Sequence, residues 1–169
     1  RPTSDRIRES IFNRLDNWDA LDGASVLDLY AGTGALALEA VSRGAKLAMM
    51  VERDSKAAVV CIKNSERVQE ALLDAEIEAD TLVACKSVDN YLATTPSQSF
   101  DVVFIDPPYE VSNEEVATNL ARLLPWLNEA ALIVLERSSR SGAVDLPTEY
   151  QLDDTKSYGD TTVYWLSIA

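Results

Sequence analysis

Two short stretches carry residue types able to do chemistry. In "VLDLYAGTGALA" (26–37) an acid, Asp28, interrupts an apolar run, and Gly32, Gly34 and Ala37 follow in a G-x-G-x-x-A pattern. Glu52 closes the next apolar run, about 20 positions after the first glycine. That is the distance at which an acid accepts from ribose hydroxyls. In "FDVVFIDPPYE" (100–110) an apolar run ends at Asp106, and two prolines and a ring follow: Pro107, Pro108 and Tyr109. Consecutive prolines lack the N–H groups a central strand needs, so the run must stop there. One stretch suits a nucleotide-type cofactor. The other suits a rigid set of hydrogen-bond acceptors beside an aromatic face.

These residues need elements that bring them together. Residues 4–15 read as a helix capped by Ser4, with Ile7, Ile11, Phe12 and Leu15 on one face. Strands are expected at 25–31, 47–52, 81–87, 100–105 and 131–137. Helices are expected at 35–44, closed by Gly44, at about 55–73 and at 113–124, the last capped by Asn113 or Ser112. Residues 89–93 read as a short helical turn, and 150–168 as two strands around Gly159 and Asp160. Alternating strands and helices predict an α/β, Rossmann-like, doubly wound and mostly parallel sheet. Helices cover both faces, and a C-terminal hairpin adds an antiparallel strand. In such sheets ligands bind at the carboxyl ends of the strands, where Asp28–Gly34, Glu52, Ser87 and Asp106–Tyr109 all fall.

The glycine pattern alone fits a dinucleotide and S-adenosylmethionine equally. Asp28 separates them, because a carboxylate beside the loop repels a pyrophosphate and attracts an ammonium and a sulfonium. The acids Asp28, Glu52 and Asp106 together favour the cationic cofactor. The loop 106–109 then borders a methyl donor. An amino group on a base or amide is a poor nucleophile, since its lone pair is delocalised. Asp106 and the Pro107 carbonyl can accept its N–H bonds and favour charge building on nitrogen, while Tyr109 stacks a flipped base.

Composition narrows the classes. The 169 residues set a one-domain prior, and no apolar run approaches a membrane span. The chain contains no histidine, which removes Ser-His-Asp and Cys-His catalysis and His-ligated metal sites. Cys61 and Cys85 lack metal spacing and read as buried, reduced thiols of a cytoplasmic protein. Net charge is −13, which argues against a nucleic-acid partner. The charge is uneven, however. Residues 1–15 carry Arg1, Arg6, Arg8 and Arg14 against Asp5 and Glu9, giving +2, and the rest carries −15. That basic segment reads equally as a solvated helix face or as a contact surface.

The segments "RPTSDRIRESIFN", "VLDLYAGTGALALEAVSRGA", "VERD", "FDVVFIDPPY", "LIVLER" and "KSYGDTTVYWL" together resemble the RsmD-type family of class I S-adenosylmethionine-dependent methyltransferases. The resemblance spans nearly all of residues 1–169 and implies methylation of the exocyclic N2 of a guanine in small-subunit (16S) ribosomal RNA, at guanine 966. It implies a monomeric cytoplasmic enzyme acting on ribosomal RNA or the assembling small subunit, without a metal. By the same resemblance Asp28, Tyr30, Gly32 and Gly34 line the methionine part of the cofactor. Glu52 binds ribose, and Arg53 lies beside the adenine. Asp106, Pro107 and Tyr109 hold the target guanine, with Pro108 beside it. Arg1, Thr3 and Arg8, on an opening segment of about residues 1–20, face RNA.

Two departures stand out. Many members carry Gly-Asp after the third strand, where this chain has Lys86-Ser87, so Ser87 and Val88 take the adenine. Members also begin with a basic hairpin upstream of "RPT", and the opening without Met fits a chain trimmed there. Rival readings remain an amide-nitrogen methyltransferase, which uses Asn in place of Asp106, and a cofactor-binding RNA module without turnover. A nicotinamide enzyme is disfavoured by Asp28. A cytosine C5 methyltransferase needs a loop cysteine that is absent.

Overall fold

The computed structural model describes residues 4–169. Its elements are α1 (Asp5–Asn17), β1 (Ser25–Asp28), α2 (Ala35–Ser42), β2 (Leu47–Val51), α3 (Ser55–Asp74), β3 (Asp80–Ala84), α4 (Val88–Leu92), β4 (Phe100–Ile105), α5 (Asn113–Leu123), β5 (Leu127–Ser138), β6 (Tyr150–Tyr158) and β7 (Thr161–Ile168). The strands form one sheet in the order β3-β2-β1-β4-β5-β7-β6. β3, β2, β1, β4 and β5 run parallel, and β7 runs antiparallel between β5 and β6. This is the expected doubly wound sheet.

Strand alternation divides the core in two. Val26, Val102, Phe104 and Val134 face α1, α2 and α3, where they meet Phe12, Leu15, Ala37 and Val41. Leu27, Val103, Ile105 and Ile133 face α4 and α5, where they meet Tyr91, Leu92, Val116, Leu120 and Trp126. With side chains buried on both faces, the central strands read as unbroken apolar runs. Helix α1 docks through Ile7, Ile11, Phe12 and Leu15 as its spacing predicts, and Ser4 caps it by accepting from the Ile7 N–H.

The order reverses between β1 and β4, which are neighbours with Asp28 paired to Phe104. Both chemical stretches leave the sheet at this switch point. Strand β1 stops at Asp28 rather than continuing to residue 31, because the chain folds into a tight loop. Gly34 N–H donates to the Ala31 carbonyl, and Gly32 and Gly34 adopt φ of 57° and 85°. These values favour glycine. Strand β3 ends at Ala84, three residues early. Lys86 N–H turns back onto the Ala84 carbonyl, and Ser87 becomes the cap of α4. Strand β5 begins at Leu127, earlier than expected, because a register shift between Phe100 and Val102 lets β4 pair with both Leu127 and Leu132. Ser112, not Asn113, caps α5. Cys61 is buried, but Cys85, just past the end of edge strand β3, is exposed and corrects the expectation of two buried thiols.

Candidate active site

Three acids stand at the ends of adjacent strands: Asp28 on β1, Glu52 just past β2 and Asp106 just past β4. Backbone pairing holds them in step. Leu29 N–H donates to the Phe104 carbonyl, Ala31 N–H to Val51 and Glu52 N–H to Ala84. Asp28 is 1% exposed. Among the described residues neither carboxylate oxygen has a hydrogen bond of proper geometry, although the Ala37 and Tyr30 amides lie near enough to offset part of its burial. Burial, followed by the charges of Asp106 and Glu52, pushes its pKa up to about 8. An orphaned acid beneath a glycine loop calls for a cation.

Glu52 is already oriented. One oxygen accepts from Gly32 N–H at 2.8 Å and the other from Asp54 N–H at 2.7 Å. Each oxygen keeps a lone pair for a ribose hydroxyl. Gly34 opens α2 against Cys61 and Met50, and a Cβ there would lie 2.9 Å from both sulfurs. The loop is therefore closed from below by packing and from the side by Glu52. Tyr30 is half-buried, and its hydroxyl accepts from Asn119 Nδ2. Arg53 is exposed beside Glu52. Ser87 spends its hydroxyl oxygen capping α4, where it accepts from Asn90 N–H at 3.1 Å. Val88 is a core side chain, so it offers a ligand only its backbone.

In the loop after β4, Asp106 is half-buried, Pro107 is buried and Pro108 is exposed. Tyr109 is 77% exposed. Val111 N–H donates to the Pro108 carbonyl at 3.0 Å and closes a turn with Tyr109 at its corner. A concavity of about 330 Å³ opens beside this turn, bounded by Tyr109, Val111, Asn113, Arg137 and Ser141. A second one, of about 490 Å³, lies between α3 and β3, away from the strand ends.

The opening segment is more committed to structure than its charge suggested. Arg8 pairs with Asp5 at 2.6 Å. Arg14 pairs with Asp154 at 2.8 Å and lies over the Trp165 ring at 4.8 Å. Arg1 and Thr3 lie outside the described residues.

Sequence reasoning missed Asn119 and Arg137. Asn119, 1% exposed, supports Tyr30 from α5. Its signal was a lone polar residue among Val116, Leu120 and Leu123 at helical spacing. Arg137, 5% exposed, ends the apolar run of β5, and its signal was a charge where a buried strand meets the active edge.

An open α/β sheet of this order, with a glycine loop and acids at the switch point, is the class I S-adenosylmethionine-dependent methyltransferase fold. Solved structures share it. A conserved protein of Streptococcus pyogenes superimposes with a TM-score of 0.80 at 27% identity, covering 96% of this chain and 95% of that one. Magnesium protoporphyrin IX methyltransferase from Synechocystis shares the fold with a TM-score of 0.74 at 12% identity, over 97% and 79% of the two chains. The family model "Conserved hypothetical protein 95" matches residues 1–167, and the chain belongs to that family. Ribosomal RNA small subunit methyltransferase D of Escherichia coli is 33% identical over 159 residues, 94% of this chain and 75% of that protein. Its counterpart of the same name in Haemophilus influenzae is 35% identical over 136 residues, 80% and 67% of the two chains.

Proposed function

We propose that this chain transfers a methyl group from S-adenosylmethionine to the exocyclic N2 of a guanine in small-subunit ribosomal RNA. The carrying observation is the buried Asp28 carboxyl, which has no hydrogen bond of proper geometry among the described residues and whose pKa is raised by burial and by Asp106 and Glu52. That environment suits a cation and disfavours a pyrophosphate. When bound, S-adenosylmethionine supplies an electrophilic methyl group. Asp28 and the Gly32–Gly34 loop would hold its charged amino-acid part, with Tyr30 alongside. Glu52 would hold its ribose, and Arg53 with the Ser87–Val88 backbone would border its adenine.

The acceptor side belongs to the loop after β4. The Asp106 carboxylate and the Pro107 carbonyl accept from the target amino group, which removes rotational freedom and favours positive charge building on nitrogen. Asp106 can take the proton that the nitrogen sheds. The exposed Tyr109 ring offers a face for a flipped base. The target is assigned to guanine 966, as the resemblance to the RsmD-type family implies. RNA contact is assigned to Arg1, Thr3 and Arg8, and the working form to a cytoplasmic monomer.

The test is a paired transfer assay with methyl-labelled cofactor, one arm holding unmodified small ribosomal subunits and the other a release-factor protein with an acceptor glutamine. Label in the RNA alone is expected. Label in the protein alone would reassign the loop to amide methylation.

A further inference from the structure

Arg137 sits at the end of β5 beside the loop that bears Tyr109. Its Nη2 donates to the Val111 carbonyl at 3.0 Å and to Asn113 Oδ1 at 2.8 Å. Asn113 in turn donates from Nδ2 to the Ser141 carbonyl at 2.6 Å and to the Ala143 carbonyl at 3.3 Å. The turn Pro108–Val111 is thus gripped at its far end, and Asn113, the first residue of α5, is tied to the loop after β5. The guanidinium is buried, and its Nε has no hydrogen-bond partner among the described residues. Desolvating a cation and leaving one donor unmatched is costly. A neutral donor could make the same loop bonds at less cost. What the cation adds is charge beside Tyr30 and Asp106, whose fields act on it in the opposite sense to its burial.

We propose that Arg137 is a positioning residue for methyl transfer. From β5 it fixes the 106–113 loop so that the Asp106–Pro107 acceptors and the Tyr109 ring keep one geometry, and it sets a positive charge behind the cluster of acids. The proposal rests on reading that loop as the acceptor clamp. It separates two tasks on one sheet edge: the glycine loop and Glu52 hold the cofactor, and the hydrogen bonds of Arg137 steady the acceptor side.

Arg137→Met and Arg137→Lys test this with two readouts. The first is hydrogen exchange of the 106–113 segment, which needs no activity. Arg137→Met should speed exchange there about 10-fold or more while β1 and β4 keep their protection. The second is turnover on small subunits, set against affinity for S-adenosylhomocysteine. The kcat should fall about 100-fold, as expected for a misplaced acceptor. Cofactor affinity should hold, Lys should recover part of the loss, and adding Asn113→Ala to Arg137→Met should cost little more, since both act through one clamp. Unchanged exchange in 106–113 would overturn the proposal, as would loosening of the whole sheet with a parallel loss of cofactor affinity. A wild-type protein that methylates no RNA would sink the proposed function, and the exchange result would still decide this inference.

Discussion

Asp28 concentrates the chemistry of the molecule in one carboxyl. Its folded pKa, about 8, lies above the ordinary value of 3.8. Between those values the native chain holds a proton that the unfolded chain has released. The stability this gives is fully present below about pH 4 and is lost as pH rises toward 8. Asp28→Asn removes that dependence, and at pH 8 its thermal midpoint should exceed the wild type's by about 5 °C. The same variant should bind S-adenosylhomocysteine at least about 30-fold more weakly, because the buried counter-charge to its ammonium is gone. Calorimetry of the wild type near pH 7, repeated in buffers of different ionisation enthalpy, should show proton release on binding. Binding without proton release would mean that Asp28 does not meet the cation. Asp106 makes the complementary case. Asp106→Ala should keep cofactor affinity and lose about 10²–10³ in turnover, and wild-type turnover in that variant would remove Asp106 from the mechanism.

The elements explain why these residues meet. The β1–α2 turn depends on glycine for space as well as for φ. Gly34→Ala would place a Cβ against Cys61 and Met50 at φ 85°. Urea denaturation should show a loss of about 1–3 kcal/mol, with weaker cofactor binding because the loop shifts. A fully stable variant would mean that the turn tolerates the methyl group. Strand β4 was fully legible in the sequence, since an unbroken apolar run stops at Asp106 and Pro107, which cannot extend it. The end of β3 was less legible. Its residues suit a strand, but an edge strand has only one partner, and Lys86 bends away after Ala84. The start of β5 was hidden, because Asn128 and Glu129 look like loop residues. Asn128 is held instead by Asp101 Oδ1 at 2.6 Å, across the shifted register. The glycine loop, Glu52 and Asp106–Tyr109 could be read because each is a local pattern. Asn119 and Arg137 could not, because their partners, Tyr30 and Val111–Asn113, lie 89 and about 25 positions away and only folding joins them.

A chain of net charge −13 would meet RNA against a repulsive overall field. Arg14 is spent on Asp154 and Trp165, and Arg8 leans on Asp5. Two of the four arginines of the opening segment are thus already paired within the protein. RNA binding should therefore weaken only gently with salt, with a slope in log–log form of about −2, as three or so basic contacts would give. A slope near −6 would require a phosphate-binding surface other than the opening segment. On the proposed function, shape, base stacking on Tyr109 and the amino-group clamp would then carry most of the recognition.

On the proposed function, the acids at the switch point serve methyl transfer to a base amino group. The direct measurement incubates unmodified small-subunit RNA, free and in subunits, with this protein and labelled S-adenosylmethionine, then digests the RNA to nucleosides and separates them. Label is expected in N2-methylguanosine, and absent with Asp106→Ala. Label in a carbon- or ribose-methylated nucleoside, or in N2-methylguanosine undiminished by Asp106→Ala, would contradict it.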